Sequence, residues 1–156
     1  MSELYIRNRQ HVRPVRVKLL ESITAALIAR TCPLEYRIGI VLVGEQEMAR
    51  LNEAFLKHAG PTDVIAFGYT ADHARSLHGE VFVCVDEALR QARHFRTSWQ
   101  KELVRYLAHG LLHFQGYEDS TPAKRRKMKA VEDALLEEVA QRFSLSQLSR
   151  KPKLRP

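Results

Sequence analysis

The sequence has no long hydrophobic run and only two cysteines. No apolar stretch approaches the roughly 18 residues that a membrane-spanning helix needs. The N-terminus places Glu3 and then polar residues where a signal peptide has its apolar core. We therefore expect a cytoplasmic protein with no membrane association. Cys32 and Cys84 lie far apart without a CxxC pair, so we expect two reduced core thiols.

Internal repeats and domain linkers are also missing. A chain of 156 residues with 45% hydrophobic and 28% charged residues has the length and composition of one globular domain. We predict a single domain over residues 1–145. The remaining residues, 146–156, end in RKPKLRP, whose two prolines and four cations predict a basic, disordered tail.

The charge balance is strongly basic, with a net charge of +7. Clustered lysine and arginine attract phosphate backbones and release their counterions, which favours a polyanionic partner. A solvated basic surface without a specific partner is the alternative that composition leaves open.

The hydrophobic pattern predicts an α+β fold. Alternation and β-branched residues predict strands at 4–10, 35–44, 62–69 and 79–85, with a hairpin loop at 70–78. Helical spacing predicts helices at 13–31, 45–58, 86–95, 98–114 and 122–143, with Asp86 and Ser98 as N-caps. Because most helices follow the strands, we expect a small mixed β-sheet covered by helices on one face.

The stretch HGLLHFQGYED suggests a metal site at the C-terminal end of a central helix. His109 and His113 are four residues apart, so on a helix they share one face. Gly116 can end that helix and turn the chain back, which would let Asp119 face the two histidines. Two imidazoles and a carboxylate suit zinc. The alternative is a chance histidine pair with Asp119 capping the last helix, although Ser120 or Thr121 is the better cap candidate.

Gly110 argues against a metalloprotease. The HExxH motif of the zincins places a glutamate directly after its first histidine, where it acts as the general base. This sequence has glycine at that position.

The same stretch resembles the signature HGxLHLxGYDH of the YbeY family of bacterial rRNA maturation endoribonucleases. The resemblance covers about residues 38–143 and includes the segment PTDVIAF at 61–67. The matching positions outside that segment are Leu51, Asn52, Gln91, Ala92, Ser98, Glu102, Leu103, His109, Gly110, Leu112, His113, Gly116, Tyr117, Met128 and Glu132.

The resemblance implies a zinc-dependent, single-strand-specific endoribonuclease that acts in rRNA maturation and ribosome quality control. Its partners would be rRNA or ribosomal particles, and it would bind one Zn²⁺ per chain through His109, His113 and Asp119. The usual family member has histidine at the third position, and aspartate is a competent exchange. Thr62 and Asp63 fall in the segment that resembles the lining of the family's substrate cleft, although strand initiation is an equal alternative for them.

One departure concerns substrate binding. The family's arginine after LN is replaced by Leu56, so Lys57 or Arg105 would have to hold the substrate phosphate, or activity is reduced. Gly79 and Glu80 stand where the family has GD. The sequence assigns no general acid or base.

Two other functions stay open. The basic charge and the missing arginine fit a catalytically weak RNA- or ribosome-binding protein with a structural zinc. A metal hydrolase acting on another substrate is the third possibility.

Overall fold

The computed structural model describes residues 2–31, 35–58, 60, 62–69 and 76–149. It contains four strands: β1 (Glu3–Asn8), β2 (Glu35–Val43), β3 (Val64–Gly68) and β4 (Ser76–Cys84). The five α-helices are α1 (Val17–Thr31), α2 (Glu45–Leu51), α3 (Val85–Phe95), α4 (Trp99–Phe114) and α5 (Pro122–Arg142). The predicted α+β class is confirmed. The predicted hairpin loop at 70–78 lies outside the described residues up to position 75.

The strands form one mixed sheet in the order β1-β2-β4-β3. β1 and β4 both run parallel to β2, and β3 runs antiparallel to β4, pairing Val64 with Val83 at one end and Gly68 with Gly79 at the other. The antiparallel pair therefore lies at one edge of the sheet, beside the residues that precede β3.

The helices cover both faces of the sheet, which differs from the predicted single covered face. Side chains alternate along β2, so Ile40 and Leu42 join the main core while Val41 and Val43 point to the other side. Met48 of α2 is fully buried in that second cluster. The pattern of continuous apolar residues in β2 is typical of a strand that is buried on both faces.

The helix caps agree in part with the sequence. Ser98 caps α4, since its side chain accepts a hydrogen bond from the Lys101 backbone N–H at 3.1 Å. Asp86 does not cap α3, which begins one residue earlier, at Val85. Its carboxylate instead accepts a bond from the backbone N–H of Glu45 at 2.6 Å, at the start of α2.

The helix predicted over 45–58 is two elements. After α2 the chain continues as a π-helix over Asn52–Leu56 and ends at Lys57, whose φ of 56° is left-handed. Asn52 is buried, and its side-chain amide donates to the Gly60 carbonyl at 2.8 Å. This segment carries Leu56, which is 46% exposed at the position of the missing arginine.

The ordered chain extends past the predicted tail boundary. Leu145–Ser149 form a 3₁₀-helix, and Leu148 is fully buried in the main core. The Leu148 carbonyl accepts a bond from the Arg16 backbone N–H at 2.9 Å, and Gln100 donates to the Ser149 hydroxyl at 3.0 Å. The first four residues of the predicted tail, 146–149, therefore pack on the domain. Leu145 and Leu148 are three residues apart, so they share one face of the 3₁₀-helix and both contact the main core. Residues 150–156 lie outside the described chain.

Two further predictions concern the cysteines and the membrane. Cys84 is a buried free thiol, and burial raises its pKa to about 11; Cys32 lies outside the described residues. None of the helices in the described part of the chain has the length and apolarity that crossing a bilayer requires.

Candidate metal centre

Helix α4 carries both predicted histidine ligands near its C-terminal end. Its position on the sheet depends on Gly110, where an added Cβ would lie 2.6 Å from a Val81 methyl group. Such a contact is far inside van der Waals distance, so only glycine lets α4 approach β4 this closely. Position 110 faces the sheet and not the candidate metal ligands. A glutamate next to His109 would therefore clash with Val81 and could not reach the site.

A turn after α4 brings the third residue back. Gly116 has a φ of 90°, in the left-handed region that favours glycine, and its N–H donates to the His113 carbonyl. Thr121 then caps α5 by accepting a bond from the Lys124 backbone N–H at 3.2 Å. The cap belongs to Thr121, which leaves the Asp119 carboxylate free to face α4.

The three side chains converge on one point. His109 Nε2 lies 3.0 Å from His113 Nε2 and 3.4 Å from Asp119 Oδ2. His113 Nε2 lies 4.0 Å from the same oxygen. Ligands 2.0 to 2.2 Å from a tetrahedral ion are about 3.3 to 3.5 Å from one another. The three separations bracket this range, so these donor atoms lie close enough together to hold one metal ion. Among the described residues this is the one group of at least three histidine, cysteine or acidic side chains with such spacing.

Glu132 of α5 supports His109 from behind. Its Oε2 is 2.5 Å from His109 Nδ1, and the residue is 6% exposed. A carboxylate can only accept, so Nδ1 carries the proton and Nε2 directs its lone pair toward His113 and Asp119. This is the carboxylate–histidine arrangement that orients metal-binding imidazoles.

Arg105 fixes Glu132 in turn. Its guanidinium donates to Glu132 Oε1 at 3.3 Å and to Asp133 Oδ1 at 2.8 Å. Arg105 was considered from the sequence as a substrate-phosphate ligand. In the structure two of its five N–H groups donate to carboxylates, and its side chain is 23% exposed. These contacts position Glu132, and the remaining donors leave the role of substrate-phosphate ligand a prediction.

The two histidines differ in proton affinity. Burial acts to lower the pKa of His109, but the hydrogen bond and charge of Glu132, with the charges of Asp63 and Asp119, raise that pKa above its ordinary value. Burial and the neighbouring His109 lower the pKa of His113. His113 is thus the more readily neutral imidazole, and neutral nitrogen is the form that binds a metal.

Thr62 and Asp63 lie just before β3. The Asp63 carboxylate accepts a bond from its neighbour's backbone, Val64 N–H, at 2.7 Å, and from the Thr62 hydroxyl at 3.4 Å. The Asp63 carbonyl accepts from the Cys84 N–H at 2.9 Å. These bonds start the strand. The charge of Asp63 also acts on His109, so the turn is electrostatically coupled to the metal group.

Glu80, which replaces the family's aspartate, sits on the sheet face away from α4. It accepts hydrogen bonds from Tyr5 and Tyr69, at 3.2 Å and 2.9 Å. Burial, together with the hydrogen bond and charge of Glu80, raises the pKa of Tyr69 to about 12. Its contacts give Glu80 no role at the metal group.

The sequence analysis did not assign a role to Glu132, which was named only as a position that matches the family pattern. Its signal was an acidic residue within the apolar stripe of α5, one turn after Met128 and three residues before Leu135, all of which are buried. A buried carboxylate needs a partner, but the sequence does not say that the partner is 23 residues away.

Comparisons with known proteins identify the family of this chain. The family model described as Endoribonuclease YbeY matches residues 5–140. The Endoribonuclease YbeY of Chlorobium luteolum is 36% identical over 102 residues, covering 65% of this chain and 73% of that protein. The one from Syntrophotalea carbinolica is 30% identical over 150 residues, covering 92% and 99%. The solution structure of TM1509 from Thermotoga maritima shares the fold, with a TM-score of 0.65 at 24% identity over 99% of this chain and all of that one. The chain therefore belongs to the endoribonuclease YbeY family.

Proposed function

We propose that this protein is a zinc-dependent endoribonuclease that cuts single-stranded RNA during rRNA maturation and ribosome quality control in the cytoplasm. One Zn²⁺ per chain is held by His109, His113 and Asp119. The observation that carries the proposal is the convergence of their three donor atoms at separations of 3.0, 3.4 and 4.0 Å. Membership of the YbeY family supplies RNA as the substrate.

The exposure of the site favours catalysis over a structural zinc. Structural zinc sites are closed by four protein ligands, whereas catalytic sites hold the ion with three and leave one position open. The described residues offer three ligands, and their side chains are 22%, 33% and 49% exposed for His109, His113 and Asp119. A cavity beside His109 and Asp119 gives a substrate access to this position.

Each residue has a distinct task in this proposal. A zinc ion at the site supplies Lewis acidity, which makes water a better nucleophile and stabilises charge that develops on a phosphoryl oxygen. Glu132 holds the His109 proton at Nδ1 and so keeps Nε2 available. Thr62 and Asp63 lie at the edge of the site, where we propose that they contact the substrate.

The test is cleavage of matched single-stranded and duplex RNA by zinc-loaded protein. We expect cutting of the single strand, little cutting of the duplex, and loss of activity in His113→Ala. Glu137→Gln is the matched control, because Glu137 is an exposed acidic residue of α5 outside the contacts of Arg105 with Glu132 and Asp133. Equal, slow degradation by the wild type and His113→Ala would contradict the proposal.

The second candidate, an RNA- or ribosome-binding protein with a structural zinc, is supported by the exposed leucine at the position of the family's arginine. It predicts salt-sensitive RNA binding without cleavage, and binding that survives His113→Ala when circular dichroism shows a folded protein. A third candidate, a hydrolase of other substrates, would cut small phosphodiesters or esters while leaving RNA intact.

A further inference from the structure

A groove between α4 and α5 leads away from the metal group. On the α4 side Lys101, Arg105 and His109 follow at intervals of four residues and share one face; on the α5 side lie Arg125 and Lys129. The groove encloses about 470 Å³, within the size range of small-molecule sites. At 1.5 Å per residue it runs about 12 Å along α4 from the metal ligand His109 to Lys101.

The cations of this groove differ in how they are engaged. Arg105 is held by Glu132 and Asp133. Lys101 and Lys129 are exposed and make no side-chain hydrogen bond or ion pair with any described residue. Arg125 donates one bond, at 3.2 Å, to the backbone carbonyl of Asp119, which adds no charge neutralisation. Three cations therefore line the groove without a salt bridge to a described carboxylate, although the charge of Lys101 acts on the buried carboxyl of Glu102, which also lines the groove.

The far end of the groove presents an aromatic ring. Phe95, the last residue of α3, is 65% exposed, and among the described residues its ring contacts one other ring, that of His94. The left-handed residue that follows, Arg96, turns the chain toward α4. Met128 of α5 contributes a buried apolar surface within the same groove. A phenylalanine exposed beside unpaired cations has the chemistry of a stacking position for a nucleobase.

We propose that this groove binds the RNA strand on one side of the cleavage point. Lys101, Lys129 and Arg125 hold backbone phosphates, and Phe95 stacks on a base. The inference rests on the proposed function and adds the path of the substrate. It also locates cations that replace the missing arginine: they lie between α4 and α5.

The test measures binding of a fluorescein-labelled single-stranded RNA to zinc-loaded protein by anisotropy, in the cold, before product accumulates. We expect Lys101→Gln/Lys129→Gln to weaken binding at least about fivefold near 0.1 M salt and to reduce the slope of log K against log salt by about 1.4, since each single-strand phosphate contact contributes about 0.7. The control, Lys18→Gln/Arg142→Gln, removes two charges on residues that do not line the groove and should stay within about twofold of wild type.

A second pair of variants tests the aromatic contact. Phe95→Ala should weaken binding about 5- to 150-fold, the range found for loss of one stacked base. Phe55→Ala removes an equally exposed ring, 63% against 65%, from the π-helix that carries Leu56. It should leave affinity unchanged. Both residues are exposed, so the fold is expected to survive, which circular dichroism would check.

The outcomes separate this inference from the proposed function. If the wild type cuts RNA but the groove variants bind like the control, the groove inference is overturned and the endonuclease proposal stands. If Phe55→Ala weakens binding while Phe95→Ala does not, the strand runs past the π-helix and the inference is likewise wrong. A wild-type protein that neither binds nor cuts RNA contradicts both.

Discussion

Helices α4 and α5 meet at the candidate metal site, but they contribute different parts of it. α4 carries two candidate ligands, His109 and His113; it has nine buried residues and packs closely on the sheet at Gly110. α5 is longer but has five buried residues, and its contribution is the single carboxylate of Glu132. The histidine pair can be recognised in the sequence, because its members lie about one helical turn apart. The carboxylate that orients His109 comes from another helix, so it is recognised only in the structure.

The largest expected effect tests the contribution of α5. Glu132→Gln removes the charge that orients His109, and the loss of such a supporting carboxylate lowers metal affinity about 10- to 100-fold. Competition with a zinc indicator measures the affinity. Glu137→Gln is the control, since it makes the same chemical change at an exposed position of α5 that does not contact Arg105. Equal affinities for the two variants would show that α5 does not support the site.

The next effect tests how closely α4 packs on the sheet. Gly110→Ala gains about 1 kcal/mol of helix propensity, but its Cβ would lie 2.6 Å from Val81. Overpacking of a core costs about 1 to 3 kcal/mol, so we expect a net loss of about 1 kcal/mol in the free energy of unfolding, measured with urea. Val81→Ala should relieve the clash, which makes the double variant more stable than the sum of the two single changes predicts. Strict additivity would rule out the contact.

The smallest effect compares the caps of the two helices. Ser98→Ala and Thr121→Ala each remove a side-chain bond to a backbone N–H, and each should lower stability by about 1 kcal/mol. Only Thr121 stands two residues from a metal ligand. Thr121→Ala should therefore also weaken zinc binding, whereas Ser98→Ala, at the far end of α4, should not. Identical zinc affinities would show that the turn holds Asp119 without its cap.

Local patterns account for what was predicted from sequence. Helical spacing placed His109 and His113 on one face, and Gly116 predicted the turn that brings Asp119 to them. The predictions that were wrong involve residues far apart in the chain. Asp86 bonds the start of a helix 41 residues earlier, so its cap position could not be read locally. The support role of Glu132 and the burial of Leu148 were not predicted, since both depend on neighbours from distant elements.

The central claim is that His109, His113 and Asp119 hold one zinc ion. Elemental analysis of wild-type protein and Asp119→Ala, purified side by side without added metal, tests it most directly. We predict about one zinc per chain in the wild type and markedly less in the variant, with both proteins folded by circular dichroism. Equal zinc in the two proteins, or none in folded wild type, would contradict the three-ligand site.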